Sequence, residues 1–234
     1  MVKIALIGDS LTEGRPGIPF HNILKEKYPS ITFINLGASG ETVKSLYSRL
    51  SKLTLGSNYD LAFLWIGVND IYSKLLKVQA QPVAENLQEF SEYYIKVLNV
   101  VISSSKYVVL VSPAIIGENI RNSSNDELKD LSASIQSISN QHPNVRFLNM
   151  HSVFEEQLAK VHSSDYISTS VFRVMKDVLF YKKPSRIDRL SSKRGLHLTL
   201  DGIHLNSNGA LTVADKYSSL IDQILFDRNA TVHD

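Results

Sequence analysis

The chain contains no cysteine among its 234 residues. It therefore forms no disulfide and no thiolate metal site, and a cysteine nucleophile is excluded while serine chemistry stays open. No stretch of the sequence approaches the roughly 20 apolar residues that cross a bilayer. The formal net charge of +2 is too small to indicate nucleic-acid binding. We expect a cytoplasmic protein without stable membrane insertion, and the composition leaves a homo-oligomer open.

The composition, with 43% hydrophobic and 21% charged residues, is that of an ordinary globular protein. Single α/β domains commonly exceed about two hundred residues, so we expect one domain over residues 1–234. Short apolar runs that barely alternate predict buried strands at 3–7, 32–36, 61–66, 107–111 and, more weakly, 145–148. Segments of helical character predict helices at 20–27, 42–52, 84–103, 126–141 and 207–226.

The alternation of strands and helices predicts right-handed crossovers, and hence a mostly parallel five-stranded sheet with helices on both faces. The expected fold class is therefore α/β, a three-layer α/β/α sandwich. Sites in such a fold form at the carboxyl ends of the strands. We expect the loops at 12–19, 71–82 and 113–125 to form the walls of a site there.

One segment breaks this alternation. Residues 162–200 form a connection too long for an ordinary loop, and we interpret it as an insertion. Between 173 and 194 only Asp177 and Asp188 are acidic, whereas the basic residues are Arg173, Lys176, Lys182, Lys183, Arg186, Arg189, Lys193 and Arg194. One hypothesis is a lid that favours an anionic substrate or a membrane surface. The alternative is a solvated hairpin or an oligomer contact.

The sequence Gly8-Asp9-Ser10-Leu11 directly follows the first predicted strand. Gly8 permits a sharp turn there, and Ser10 offers both a nucleophilic Oγ and an amide N–H for an oxyanion. Alone the motif is weak, because a phosphate-binding loop or a helix-capping serine would look similar. Ser10 is therefore a candidate nucleophile that needs partners elsewhere in the chain.

The sequence Asp201-Gly202-Ile203-His204 precedes the last predicted helix. A serine hydroxyl is a poor nucleophile until a base accepts its proton, and the base works best when a carboxylate fixes its tautomer. His204 and Asp201 have the chemistry for these two roles. The alternative is a loop aspartate in an Asx-turn beside a surface histidine.

Two further motifs follow predicted strands. Asn69 lies at 67–70, after the third strand, and Gly40 follows the second. A side-chain amide and a backbone N–H are the donor types that stabilise a tetrahedral oxyanion. Gly37 is a rival to Gly40, although Gly40 has the better spacing before the next helix. Ordinary turns also favour glycine and asparagine.

Together the four motifs resemble the SGNH (GDSL-type) hydrolase superfamily, whose four blocks contribute Ser, Gly, Asn and His. The resemblance spans the chain from near its first residue to its last helix, apart from the insertion. It implies a flavodoxin-like fold and hydrolysis of esters or thioesters, with no organic cofactor and no metal. By this resemblance Ser10, Asp201 and His204 are the catalytic triad, and Ser10 N–H, Gly40 and Asn69 form the oxyanion hole.

Other residues are assigned lesser roles. Leu205 stands where many family members carry proline, a departure that affects the rigidity of the turn and leaves the catalytic residues intact. We expect Asp9 and Asp70 to brace their loops by hydrogen bonds, and Trp65 to lie in the core. His197 is close to the proposed triad in sequence, but a metal needs more ligands than the sequence offers, so we expect no metal site.

These features predict a serine esterase or acylhydrolase that forms an acyl-enzyme and acts on a small-molecule ester. Short acyl groups, such as acetate on a sugar or another small alcohol, are expected because no long apolar stretch suits a fatty-acyl tunnel. Lysophospholipid or thioester hydrolysis is the alternative. A non-catalytic carbohydrate- or lipid-binding module would usually have lost part of the triad, and the dinucleotide fingerprint G-x-G-x-x-G is absent.

Overall fold

The strands of the protein form one parallel sheet. The computed structural model describes residues 1–53, 55–56, 58–76, 81–170 and 183–226. Within these residues the strands are β1 Lys3–Gly8, β2 Thr32–Gly37, β3 Tyr59–Trp65, β4 Ser105–Val111 and β5 Val145–Leu148. Their order across the sheet is β2-β1-β3-β4-β5, and every neighbouring pair is parallel. The predicted α/β class and five-stranded sheet are confirmed.

The central strands β1 and β3 are buried on both faces, which explains why their sequences are almost continuously apolar. Ile4, Leu6 and Ile7 of β1 have no exposed surface at all. The successive residues of β3 are buried in the same way, and so is the second half of β4. Each large apolar side chain buried like this stabilises the fold by about 1.5–3 kcal/mol relative to an exposed one.

Helices connect the strands and cover the sheet. Within the described residues they are α1 Ser10–Glu13, α2 Phe20–Lys27, α3 Val43–Leu50, α4 Val68–Leu75, α5 Leu87–Ser104, α6 Ser123–Ser139, α7 Met150–Leu158, α8 Pro184–Lys193 and α9 Ser207–Ile221. A π-helical turn, Asp222–Phe226, continues α9. Thr42, Asn86 and Asn206 begin α3, α5 and α9, and each side chain accepts a hydrogen bond from a backbone N–H of the first turn.

An aromatic cluster packs α9 against the sheet. Tyr217 of α9 stacks on Phe63 of β3 with ring centroids 4.0 Å apart, and Phe20 of α2 meets Tyr217 and Trp65 edge to face. Phe63 and Trp65 are two positions apart in one strand and face the same side of the sheet. α2 and α9 therefore cover this face, while α3, α5 and α6 pack side by side on the other. Trp65 lies in the core, as expected.

Four helices, α1, α4, α7 and α8, are absent from the sequence prediction. The loops predicted at 12–19 and 71–82 are partly wrong, because α1 reaches Glu13 and α4 reaches Leu75. The loop predicted at 113–125 is shorter than expected, since α6 begins at Ser123. α1 is a single turn and α4 only two, so neither is long enough to display a helical repeat of apolar residues.

The segment interpreted as an insertion is described in part. Arg173, Lys176 and Lys182 lie outside the described residues. Residues 184–193 form α8, so a hairpin is wrong for this part of the segment. Pro184 occupies the first turn of α8, where its missing N–H costs no helical hydrogen bond.

No helix in the described part of the chain combines the length and the apolar character needed to span a membrane.

Candidate active site

Ser10 follows the turn after β1 and begins α1, at the carboxyl edge of the sheet. Gly8 makes this turn possible, because a Cβ at that position would come within 2.2 Å of the Trp65 carbonyl oxygen. Asp9 caps α1 by accepting a 2.9 Å hydrogen bond from the backbone N–H of Leu11. Strand, turn and cap together hold Ser10 as the first residue of α1.

A chain of hydrogen bonds joins Ser10 to a residue 194 positions later. Ser10 Oγ lies 3.0 Å from Nε2 of His204, and His204 Nδ1 lies 2.8 Å from Oδ2 of Asp201. The structure thus brings together the three residues that the sequence predicts as a triad. When the carboxylate holds the ring proton at Nδ1, Nε2 is the acceptor for the serine hydroxyl.

Asp201 is fully buried and accepts three hydrogen bonds. Oδ1 accepts from the backbone N–H groups of Ile203 at 3.1 Å and His204 at 2.8 Å, and Oδ2 accepts from the His204 ring. Burial raises the pKa of this carboxyl, but the charge of His204 and the hydrogen bonds outweigh burial, so the pKa lies below its ordinary value of 3.8. The carboxylate therefore stays ionised at neutral pH and favours a protonated imidazole beside it.

Residues 199–205, which carry this pair, form a closed turn. A backbone bridge pairs Thr199 with Leu205 across it. Gly202 has a φ of 93°, and a Cβ there would lie 2.7 Å from the Tyr166 carbonyl oxygen. The turn is therefore closed by its own backbone and packed from outside by a neighbouring segment.

Gly40 and Asn69 follow β2 and β3 on the same edge of the sheet. Gly40 has a φ of 75° and is exposed, and a Cβ there would meet no heavy atom within 4 Å, so there is open space beside it where a side chain would stand. Asn69 lies in the first turn of α4, and its Nδ2 donates to the Glu41 carbonyl oxygen at 2.9 Å. An amide Nδ2 carries two N–H groups, so a second donor stays available to a ligand. Asn69 thereby links the first turn of α4 to the loop that follows β2.

The loop that carries Gly40 is tied to the turn after β1. Ala38 N–H donates to the Gly8 carbonyl oxygen at 3.0 Å. Ser39 Oγ donates to the Glu13 carboxylate at 2.6 Å. The loop is thereby held beside α1, the helix that Ser10 begins.

Gly37, the rival to Gly40, has no room for an oxyanion. Its N–H is already bonded to Asn35 Oδ1 at 2.9 Å. A Cβ at Gly37 would lie 2.3 Å from the Glu13 backbone nitrogen, because β2 ends directly against α1. The geometry therefore favours Gly40 as the candidate donor.

Asp9 and Asp70 are buried carboxyls that brace the backbone, as expected. Asp70 Oδ2 accepts a 3.0 Å hydrogen bond from the Val43 N–H at the start of α3. Burial raises the pKa of each aspartate to about 7, and the nearby Asp9 adds to the increase at Asp70. Each carboxyl therefore holds a proton for part of the time at neutral pH, and at Asp9 this reduces the negative charge that interacts with His204.

His197 is not part of a shared site with the predicted triad. Its Nε2 is hydrogen-bonded at 2.9 Å to the His162 carbonyl oxygen. In the described part of the chain, no group of three or more histidine, aspartate or glutamate side chains is arranged to hold a metal ion.

Two buried polar residues around the 199–205 turn, Ser191 and Glu118, were missed by the sequence interpretation. Asn206 Nδ2 donates to Ser191 Oγ at 2.8 Å, and Ser191 Oγ donates to the Thr199 carbonyl oxygen at 2.7 Å. Glu118 accepts hydrogen bonds from the backbone N–H groups of Leu198 and Thr199, where the chain enters the turn. Backbone groups supply most of their partners and leave no sequence pattern. The one available signal is that Glu118 follows the apolar run at 114–116.

Comparison with protein families identifies the family of the chain. A model of the GDSL-like lipase/acylhydrolase family matches residues 4–217, a range that contains all the predicted site residues. The chain belongs to this family and is an ester hydrolase. No curated protein sequence matches it.

The fold is similar to that of esterases of known structure. A catalytic mutant of an acetylxylan esterase from Geobacillus stearothermophilus has a TM-score of 0.67 at 18% identity, over 96% of this chain and 94% of that chain. The acetyl xylan esterase AlAXEase has a TM-score of 0.65 at 21% identity, over 94% of this chain and 100% of that chain. A lipase/acylhydrolase from Enterococcus faecalis has a TM-score of 0.63 at 18% identity, over 95% of this chain and 96% of that chain. The predicted SGNH fold is confirmed.

Proposed function

We propose that the protein hydrolyses carboxylic esters through a Ser10-His204-Asp201 triad and an acyl-enzyme on Ser10. The observation that carries this proposal is the unbroken chain of hydrogen bonds from Ser10 Oγ, through both ring nitrogens of His204, to the buried Asp201 carboxylate. Nucleophile, base and carboxylate follow one another in the order that serine acyl transfer requires.

In the first half of the proposed reaction, Ser10 Oγ attacks the acyl carbonyl carbon while His204 Nε2 takes the hydroxyl proton. Asp201 stabilises the imidazolium that forms. Collapse of the tetrahedral intermediate breaks the bond to the alcohol oxygen, which receives the proton from His204. In the second half, His204 Nε2 takes a proton from water while the water oxygen attacks the acyl carbon. Collapse of this second intermediate breaks the bond to Ser10 Oγ, which takes the proton back from His204, and the carboxylic acid leaves.

Three donors are proposed for the oxyanion, namely the Ser10 N–H, the Gly40 N–H and the Asn69 side-chain amide. The open space at Gly40 and the link from Asn69 to the Gly40 loop support this assignment. The donors are held before the substrate arrives, which is what makes such a site effective. A single oxyanion donor of this kind contributes about 10²–10³ in rate.

Short acyl groups, above all acetyl, on a sugar or another small alcohol are the proposed substrate class. Two of the similar folds belong to acetylxylan esterases. Catalytic mutants of the Geobacillus stearothermophilus enzyme replace a serine, an aspartate or a histidine by alanine. The same three residue types form the hydrogen-bonded chain in this protein.

Ser10→Ala tests the nucleophile. The variant should lose at least about 10³-fold in kcat, because no other group can form the acyl-enzyme, while its melting temperature stays unchanged. After treatment with a fluorophosphonate, mass spectrometry should find one adduct on the unmodified sequence, at Ser10, and none on the variant. Ser103→Ala, at an exposed serine of α5, is the control and should be labelled and active. Full activity of Ser10→Ala would contradict the proposal. If the unmodified sequence binds esters but is not labelled by the fluorophosphonate, the protein is a binding module and not a hydrolase of this kind.

The acyl specificity is tested with p-nitrophenyl acetate, butyrate and octanoate, and with a thioester of acetate. We expect kcat/KM to be highest for the acetate ester and to fall as the acyl chain lengthens. A maximum at octanoate would indicate a lysophospholipase-like site, and a preference for the thioester would indicate a thioesterase. Either result would replace the proposed substrate class and leave the triad proposal standing.

A further inference from the structure

Glu118 is a buried carboxylate outside the proposed catalytic residues, with an exposed fraction of 3%. Its Oε1 accepts hydrogen bonds from Leu198 N–H at 2.8 Å, Thr199 N–H at 2.8 Å and the Thr199 hydroxyl at 2.9 Å. Its Oε2 accepts from His197 N–H at 2.7 Å. Four donors from three successive residues thus converge on one side chain. A buried carboxylate is retained in a fold only when donors satisfy it in this way.

The residues that Glu118 binds lead directly into the 199–205 turn. Thr199 Oγ1, which donates to Glu118, also accepts a hydrogen bond from Gly202 N–H at 3.2 Å. Gly117 N–H donates to the Gly202 carbonyl oxygen at 2.7 Å. Two neighbouring residues of the loop after β4 therefore hold the turn, one through its side chain and one through its backbone.

We propose that Glu118 is a positioning residue, which fixes the direction of the His204 ring toward Ser10 by holding the 199–205 turn. This inference rests on the proposed function, in which His204 is the base. Glu118 acts through its hydrogen bonds to the backbone of residues 197–199 and to the Thr199 hydroxyl. A displacement of about 1 Å in a catalytic group can cost up to about 10²-fold in rate, so a small shift of the turn is measurable.

Glu118→Gln is the sharpest substitution for this purpose. Glutamine keeps the shape of the side chain but presents an N–H₂ group where Oε2 accepts from His197 N–H. Two donors then face each other and the turn must shift. Asp60→Asn is the matched control, because the Asp60 carboxylate also accepts a hydrogen bond from a backbone N–H, that of Lys3 at 2.9 Å. Asp60 lies at the amino end of β3, whereas Ser10 lies at the carboxyl edge of the sheet.

The experiment measures kcat for each competent active site. All three proteins are first treated to completion with a fluorophosphonate, and the adducts at Ser10 are counted by mass spectrometry. This count gives the concentration of competent sites in each preparation. Then kcat and KM are measured for p-nitrophenyl acetate with untreated protein from the same preparations.

We expect Glu118→Gln to lose about tenfold in kcat per labelled site with KM changed by less than about twofold, and Asp60→Asn to keep the kcat of the unmodified sequence. A merely structural Glu118 would lower the number of labelled sites or the melting temperature and leave kcat per site unchanged, and that result would overturn the inference. Absence of labelling at Ser10 in the unmodified sequence would instead refute the proposed function, and this inference with it.

Thr199→Val tests the same connection if Glu118→Gln does not fold. Valine replaces the hydroxyl by a methyl group and so removes the link between Glu118 and Gly202. We expect a loss of about threefold to tenfold in kcat per labelled site with KM unchanged. Unchanged kcat per labelled site in Thr199→Val would overturn the inference.

Discussion

Asp201 determines which ring nitrogen of His204 carries the proton. Asparagine at this position would still accept from the backbone N–H groups of Ile203 and His204, but its N–H₂ group would face His204 Nδ1. The ring proton would then move to Nε2, which could no longer accept the Ser10 proton. We predict that Asp201→Asn lowers kcat for p-nitrophenyl acetate by about 10³–10⁴-fold while circular dichroism shows a folded protein. Asp215→Asn, at an exposed carboxylate of α9, should keep full activity, and an Asp201→Asn protein within tenfold of it would contradict this role.

The single residues divide into those that sequence could predict and those that it could not. Ser10, Asp201 and His204 were predictable because their side chains meet one another, and serine chemistry needs those residue types together. Glu118 and Ser191 were not, because each is bonded mainly to backbone groups. Every residue type carries the same backbone N–H and carbonyl, so no pattern of side chains reveals these contacts.

The N-cap of α9, Asn206, makes three side-chain hydrogen bonds. Asn206 Oδ1 accepts from Gly209 N–H at 3.0 Å, and its Nδ2 donates to Ser191 Oγ at 2.8 Å and to the His197 carbonyl oxygen at 2.9 Å. We predict that Asn206→Ala lowers the free energy of unfolding in urea by about 2–3 kcal/mol, since buried partners are left unsatisfied. Asn86→Ala, which removes the exposed cap of α5, should cost about 1 kcal/mol. Equal losses in the two variants would contradict the prediction.

The elements were predictable where burial controls the sequence. All five strands appear within about two residues of their predicted bounds, because a parallel strand covered on both faces must be continuously apolar. α8 was not predictable, because only Ile187 and Ser191 are buried in it and most of its other side chains are polar. α4 was not predicted, since Gly67 and Asn69 are also typical of turns and the residues from 71 onward were expected to form a loop.

The stability of the whole molecule should depend on pH through Asp70 and Asp9. Burial raises the pKa of both carboxyls from 3.8 to about 7, so the folded state holds their protons more tightly than the unfolded chain. This contribution to stability is complete below about pH 4 and is lost as the pH rises to about 7. We predict that Asp70→Asn, which stays neutral at every pH, loses less stability than the unmodified sequence between pH 5 and pH 8, by on the order of 2 kcal/mol.

Urea unfolding at several pH values measures this difference directly. His21 and His151 have pKa values lowered by burial, so they contribute stability that is lost as the pH falls below 6.5, in the opposite direction. Both histidines are present in the two proteins, and their effect cancels in the comparison. Asp201 has a lowered pKa and matters only in more acidic solution. The same dependence on pH in both proteins would show that Asp70 ionises normally.

The distance of 194 residues between Ser10 and His204 has a consequence for the growing chain. The proposed nucleophile leaves the ribosome before the proposed base, which follows the five described strands in the chain. In the proposed mechanism, Ser10 is not activated until the 199–205 turn docks at the carboxyl edge of the sheet. Activity should therefore appear only after this docking, and its rate of appearance during refolding would report the docking step.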